Sequence, residues 1–108
     1  MYKRNCVLYI LNKDKRPIKI KNHEEWSSFM SELNNKVLFK SRIENFLVST
    51  VFLGIDHRFI GRGPPLLFET MTFKDEIAQD LKRYSSYDDA ETGHKTVVDR
   101  IKRGLEVK

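Results

Sequence analysis

A single cysteine, three prolines and no apolar run long enough for a membrane span rule out several common architectures. One thiol forms no internal disulfide, so a disulfide-stapled secreted scaffold is excluded and a reducing compartment is expected. Cys6 heads the run Cys6-Val7-Leu8-Tyr9-Ile10-Leu11, where a thiol behaves as a small buried hydrophobe. Lys3-Arg4 ahead of that run resembles the start of a signal peptide. The run is too short and lacks a small-residue cleavage site, so it reads as a strand. The other long apolar stretch, Phe46 to Ile55, is interrupted by Ser49 and Thr50 and is about half of what a bilayer requires. No membrane span is expected. Gly/Ser/Pro-rich tracts, internal repeats and compositional breaks are also missing, so residues 1–108 read as one domain with one core.

Charge is plentiful but uneven. The formal net charge is +5. Residues 1–42 carry ten Lys and Arg against four acids, or +6, and residues 43–108 carry ten against eleven, or −1. Lys13, Lys15, Arg16, Lys19 and Lys21 concentrate the excess near the N-terminus. Such a cluster attracts nucleic acid or an acidic protein surface. The alternative is that these cations solvate a hairpin and protect its edge from aggregation.

Along the chain, Cys6 to Leu11 reads as a strand, Asn12 to Pro17 as a turn, and the alternating Ile18-Lys19-Ile20-Lys21 as an edge strand paired with the first. Asn22 is a good helix N-cap with Glu24 and Glu25 in the first turn. Trp26, Phe29, Met30 and Leu33 recur at helical spacing, and Asn34-Asn35 ends that helix. The stripe is the kind that packs on the chain's own sheet. Lys36 to Lys40 reads as a strand, and residues 41–45 as a connection. Phe46 to Ile55 is apolar on both alternating faces, which predicts an interior strand covered on each side. Leu66 to Phe73 makes the next strand, with Leu67, Glu69, Met71 and Phe73 on one face. Lys74 to Tyr84 is ambiguous, either a short helix or a charged loop leading to a strand that ends at Tyr84. Ser86 with Asp89 resembles a capping box. From there a helix of about five turns places Ala90, His94, Val97, Val98, Ile101 and Leu105 on one face, and Gly93 removes bulk so that the helix approaches the sheet closely. The order predicts an α+β domain, an antiparallel or mixed sheet of four to five strands packed with two helices.

Val48-Ser49-Thr50-Val51-Phe52-Leu53-Gly54-Ile55-Asp56-His57, Gly63-Pro64-Pro65-Leu66-Leu67-Phe68-Glu69-Thr70-Met71, Arg83-Tyr84-Ser85 and Ala90-Glu91-Thr92-Gly93-His94 together resemble a family of small, uncharacterised proteins encoded in bacteriophages and prophages. The resemblance runs from about Trp26 to Val98. It weakens at the basic hairpin and at Lys74 to Lys82, where related sequences often carry a glycine-containing loop. It implies a viral gene and the bacterial host cytoplasm, and it supplies no activity.

Two groups of residues have the chemistry for a site. The loop from Asp56 to Pro65 carries Arg58 and Arg62, is bent by Gly61 and Gly63 and stiffened by Pro64-Pro65. It reads either as an anion-binding surface or as a rigid connector. Asp56, His57, Glu69 and His94 are the residue types of a zinc or iron site or of a histidine-carboxylate base. They show neither His-Glu-x-x-His spacing nor a second cysteine. The alternative is a core His94 hydrogen-bonded to Glu69 or to a backbone carbonyl. A Walker loop, a nucleophile elbow and a helix-turn-helix pattern are missing. The expectation is a small accessory protein without a cofactor, acting by binding a host or phage protein. The alternatives are nucleic-acid binding through the basic hairpin and a metal-dependent enzyme built on Asp56, His57, Glu69 and His94. Oligomeric state is open.

Overall fold

A computed structural model of the chain describes residues 7–56 and 63–107. Among these residues, two antiparallel sheets and three helices form an α+β fold. β1 (Leu8–Leu11) and β2 (Pro17–Ile20) make a hairpin whose turn is held by Asn12, its side-chain oxygen accepting from the backbone N–H groups of Asp14 and Arg16 at 2.8 and 3.0 Å. α1 (His23–Ser31) begins at the predicted cap, where Asn22 Oδ1 accepts from Glu25 N–H at 3.0 Å. The run continues, after a break at Glu32, into the single turn α2 (Leu33–Lys36), so the Asn34-Asn35 pair lies within helix rather than ending it.

The main sheet is a meander, β3 (Val37–Ile43), β4 (Phe46–Phe52), β5 (Phe68–Lys74) and β6 (Ile77–Tyr84), in spatial order β3-β4-β5-β6. One expectation from the sequence is corrected in this sheet, and the choice left open after Lys74 falls to the strand that ends at Tyr84. Residues 41–43 extend β3 and leave only Glu44-Asn45 as the turn. The ambiguous segment after Lys74 is the fourth strand, joined to β5 through Asp75-Glu76. Both turn residues have positive φ, 51° and 69°, as a tight two-residue hairpin requires. The two neighbouring turns are tied together. Asp75 N–H donates to Asn45 O at 2.9 Å, and Asn45 Nδ2 donates to Asp75 Oδ1 at 3.1 Å.

α3 (Tyr87–Val107) lies across all four strands on one face. It starts at Ser86, whose Oγ accepts from Asp89 N–H at 3.0 Å. Its inward positions Ala90, His94 and Val97 are buried, and they meet Val48, Thr50, Phe52, Phe68, Thr70 and Thr72 of β4 and β5, buried alternately along those strands. Gly93 does what its lack of a side chain suggested. A Cβ there would collide with the ring and hydroxyl of Tyr84. Burying Phe52, Phe68 and Leu67 contributes on the order of 1.5–3 kcal/mol apiece.

The hairpin and α1 close one end of this core. Tyr9 N–H donates to Gly54 O at 2.8 Å, Leu8 bridges to Ile55, and Trp26 Nε1–H donates to the same Gly54 carbonyl at 3.2 Å. Gly54 sits at φ 78° directly under Met30 and Trp26, where both the backbone conformation and the space demand glycine. Phe29 stands edge-on to Phe52 at 6.0 Å and Met30 packs beside it, so that part of the predicted stripe does pack on the chain's own core, whereas Leu33, its fourth member, falls in α2 and is 67% exposed.

β4 is interior to the sheet, as its sequence predicts, but it is not covered on both sides. On the face opposite α3, the side chains of Leu47, Ser49, Val51, Glu69, Met71 and Phe73 are half-buried, and Lys40, Arg42, Leu81 and Arg83 are exposed. No residue of that face reaches full burial.

Candidate functional site

His94 is 5% exposed and hydrogen-bonded on both ring nitrogens. Its Nδ1 lies 2.7 Å from Thr50 Oγ1, and its Nε2 lies 2.9 Å from Ser41 Oγ. Thr50 Oγ1 in turn meets Thr70 Oγ1 at 2.5 Å. The register explains the alignment, since Thr50 and Thr70 are directly opposite in the β4-β5 ladder and both point toward α3. A continuous polar chain Ser41-His94-Thr50-Thr70 therefore runs from β3 through α3 into the centre of the sheet. Phe39 flanks the imidazole at 5.5 Å between ring centroids. Burial pushes the His94 pKa below its ordinary value. A neutral imidazole has one donor and one acceptor nitrogen, which suits two hydroxyl neighbours that each give or take a proton. A cleft of about 230 Å³ opens beside the Ser41 end, bordered by Lys95, Val98, Asp99 and Lys102.

Glu69 is not the partner of His94. It occupies the neighbouring strand position to Thr70, so it points to the opposite face, where Arg83 Nε–H donates to its carboxylate at 3.0 Å. The pair forms because Glu69 and Arg83 are directly opposite in the β5-β6 ladder. Asp56 is elsewhere again. Its Oδ1 accepts from Leu66 N–H at 3.0 Å, closing the base of the loop between β4 and β5. His57, Arg58 and Arg62 lie outside the described residues. Asp56, Glu69 and His94 thus do not converge, and among the described residues no group of three His, Cys, Asp or Glu side chains is placed to hold a metal ion.

Lys13, Lys15, Arg16, Lys19 and Lys21 are all exposed, the first four on the turn and outer strand of the β1-β2 hairpin and Lys21 just after it. The turn lines a second cleft, of about 370 Å³, in which Asp14, Lys15 and Arg16 face Ser85, Ser86, Tyr87 and Asp88 at the start of α3. Two aspartates stand among its cations, so its charge is mixed.

The open sheet face was the surface least visible in the sequence. Leu47, Val51, Met71, Phe73 and Leu81 form an apolar field across β4, β5 and β6, bounded by Lys40 and Arg42 on β3 and by the Glu69-Arg83 pair. The signal was the alternation in β3, where Lys40 and Arg42 share a face, and the charged stretch of β6. Nor does the sequence mark Ser41 and Thr50, the partners of His94, or Thr70, which bonds Thr50 in turn. Among the described residues, no helix is long and apolar enough to cross a membrane. No protein-family model, no curated protein and no solved structure matches the chain.

Proposed function

We propose that this chain is a small phage-encoded accessory protein that acts by binding a host or phage protein, with the open face of its four-stranded sheet as the contact surface. The observation that carries the reading is the contrast in burial between the two faces: apolar residues that the helix covers on one side are left half-exposed on the other. Contiguous apolar surface with a polar rim is typical of interaction sites. The rim sets the chemistry of the partner. Lys40 and Arg42 have no acidic neighbour on their own strand, and Arg83 already engages Glu69, so the complementary surface is apolar with carboxylates at its margin. The site carries aliphatic residues and a single aromatic, Phe73, which favours a protein over stacked nucleobases.

The test is affinity capture from host lysate after nuclease treatment, comparing the wild-type chain with Met71→Lys and with a variant in which Lys13, Lys15, Lys19 and Lys21 are all Gln. A partner that survives nuclease, is lost with Met71→Lys and is kept by the hairpin variant supports the reading. Retention that disappears with nuclease or with the hairpin substitutions transfers the function to nucleic-acid binding by the basic hairpin, with the steep salt dependence of phosphate contacts.

A further inference from the structure

Of the four sheet edges among the described residues, β1 is already engaged by Gly54 and Ile55, and the other three differ in how well each suits a second copy of itself. β2 begins with Pro17 and carries Lys19, both of which discourage strand addition. β3 bears Lys40 and Arg42 on one face, so pairing with its own copy would bring like charges together. β6 is different. Seven of its eight residues are exposed, it contains no proline, and its charges alternate in sign through Asp80, Leu81 and Lys82.

We propose that β6 pairs antiparallel with β6 of a second copy of this chain, about a two-fold axis at Leu81, joining two four-stranded sheets into one of eight strands. In that register Leu81 faces its own copy, and Asp80 faces the partner copy's Lys82 on both sides of the axis. The match is self-complementary: a two-fold contact needs each surface to fit itself, and a −/0/+ triplet centred on the axis does so. The three residues are regularly paired with Thr72, Met71 and Thr70 of β5, so the strand is properly extended where the contact is made, and the bulge at Gln79 lies just outside it. Leu81, 43% exposed on the sheet's open side next to Met71, would also gain burial and make the two apolar fields continuous. This contact uses the edge of the sheet and stands independently of the face proposed above for a different protein.

Charge reversal tests it without touching the core. Sedimentation equilibrium is measured across a dilution series for the wild-type chain, for Asp80→Lys, for Lys82→Asp and for an equimolar mixture of the two variants, with circular dichroism to confirm folding. The expected results are a dimer for the wild type, self-association weakened at least about tenfold in each variant, and recovery in the mixture, where every substituted side chain meets one of opposite sign. A wild-type monomer throughout the series overturns the proposal. So does a dimer indifferent to both substitutions, a mixture that stays monomeric, or an open-ended polymer.

Discussion

The two faces of the four-stranded sheet are built from the same strands and follow different rules. On the α3 face Val48, Thr50 and Phe52 of β4 and Phe68, Thr70 and Thr72 of β5 are buried, and Thr50 and Thr70 are hydrogen-bonded into the His94 chain. On the opposite face the residues in between are half-exposed, and among the described residues no polar network spans them beyond the Glu69-Arg83 pair. One face is packed under the helix and the other stays accessible to solvent. A substitution should therefore cost stability on the first and leave the fold largely intact on the second.

Replacing Phe52 with Ala is the largest expected effect, a loss of about 3–5 kcal/mol in urea unfolding, because the ring is enclosed by Phe29, Phe68 and the hairpin. Met71→Ala, on the other face of the adjacent strand, should stay within about 1 kcal/mol. Comparable losses at the two positions would mean that the faces are not different in kind. Gly93→Ala should cost about 1–3 kcal/mol, since the new methyl group displaces the Tyr84 ring. Thr50→Val should cost a similar ~1–3 kcal/mol by leaving His94 Nδ1 and Thr70 Oγ1 without their partner, and a neutral result would show that the polar chain contributes nothing net.

The same histidine gives the protein a pH dependence of definite sign. Its pKa in the folded state is depressed by burial, so as pH falls the unfolded chain takes up a proton first. The stability associated with neutral His94 is complete above the ordinary histidine value near ~6.5, declines as pH drops through it, and levels off below the depressed folded value. The urea midpoint followed from pH 8 to pH 5 should fall over that range, and His94→Gln, if folded, should flatten the curve. The smallest change expected is also opposite in sign. Tyr84 Oη is buried against Gly93 with no hydrogen-bond partner among the described residues, so Tyr84→Phe should be neutral or stabilising by up to about 1 kcal/mol.

Much of the fold was legible because it rests on local signals. Asn22 and Ser86 announce their helices by capping chemistry, and the helical spacing from Ala90 to Leu105 identifies the face that meets the sheet. Gly93 was readable as a close approach. Less could be read where the signal depends on strand register. Asp75-Glu76 forms a tight turn without the asparagine or glycine that usually marks one, and it leads into a strand exposed along nearly its whole length, so no apolar alternation distinguishes it. The apolar content of both faces of β4 suggested cover on each side, whereas a partly exposed face tolerates the same residues. The site was harder still. Glu69 and His94 looked like a pair from composition, but one residue of offset along a strand reverses the direction of a side chain, and that offset gave His94 to Thr50 and Glu69 to Arg83.

The consecutive order of β3, β4, β5 and β6 carries a kinetic consequence. Two of the three strand pairings close over turns of two residues, Glu44-Asn45 and Asp75-Glu76, so each hairpin can form early with little loop entropy lost. The remaining pairing, β4 with β5, must bridge the longer connection between Phe52 and Phe68. Once it does, the mutual hydrogen bonds of Asn45 and Asp75 come together at the far end of the sheet, beside the two completed turns. The joining of two preformed hairpins is then expected to be the slow event in forming the sheet.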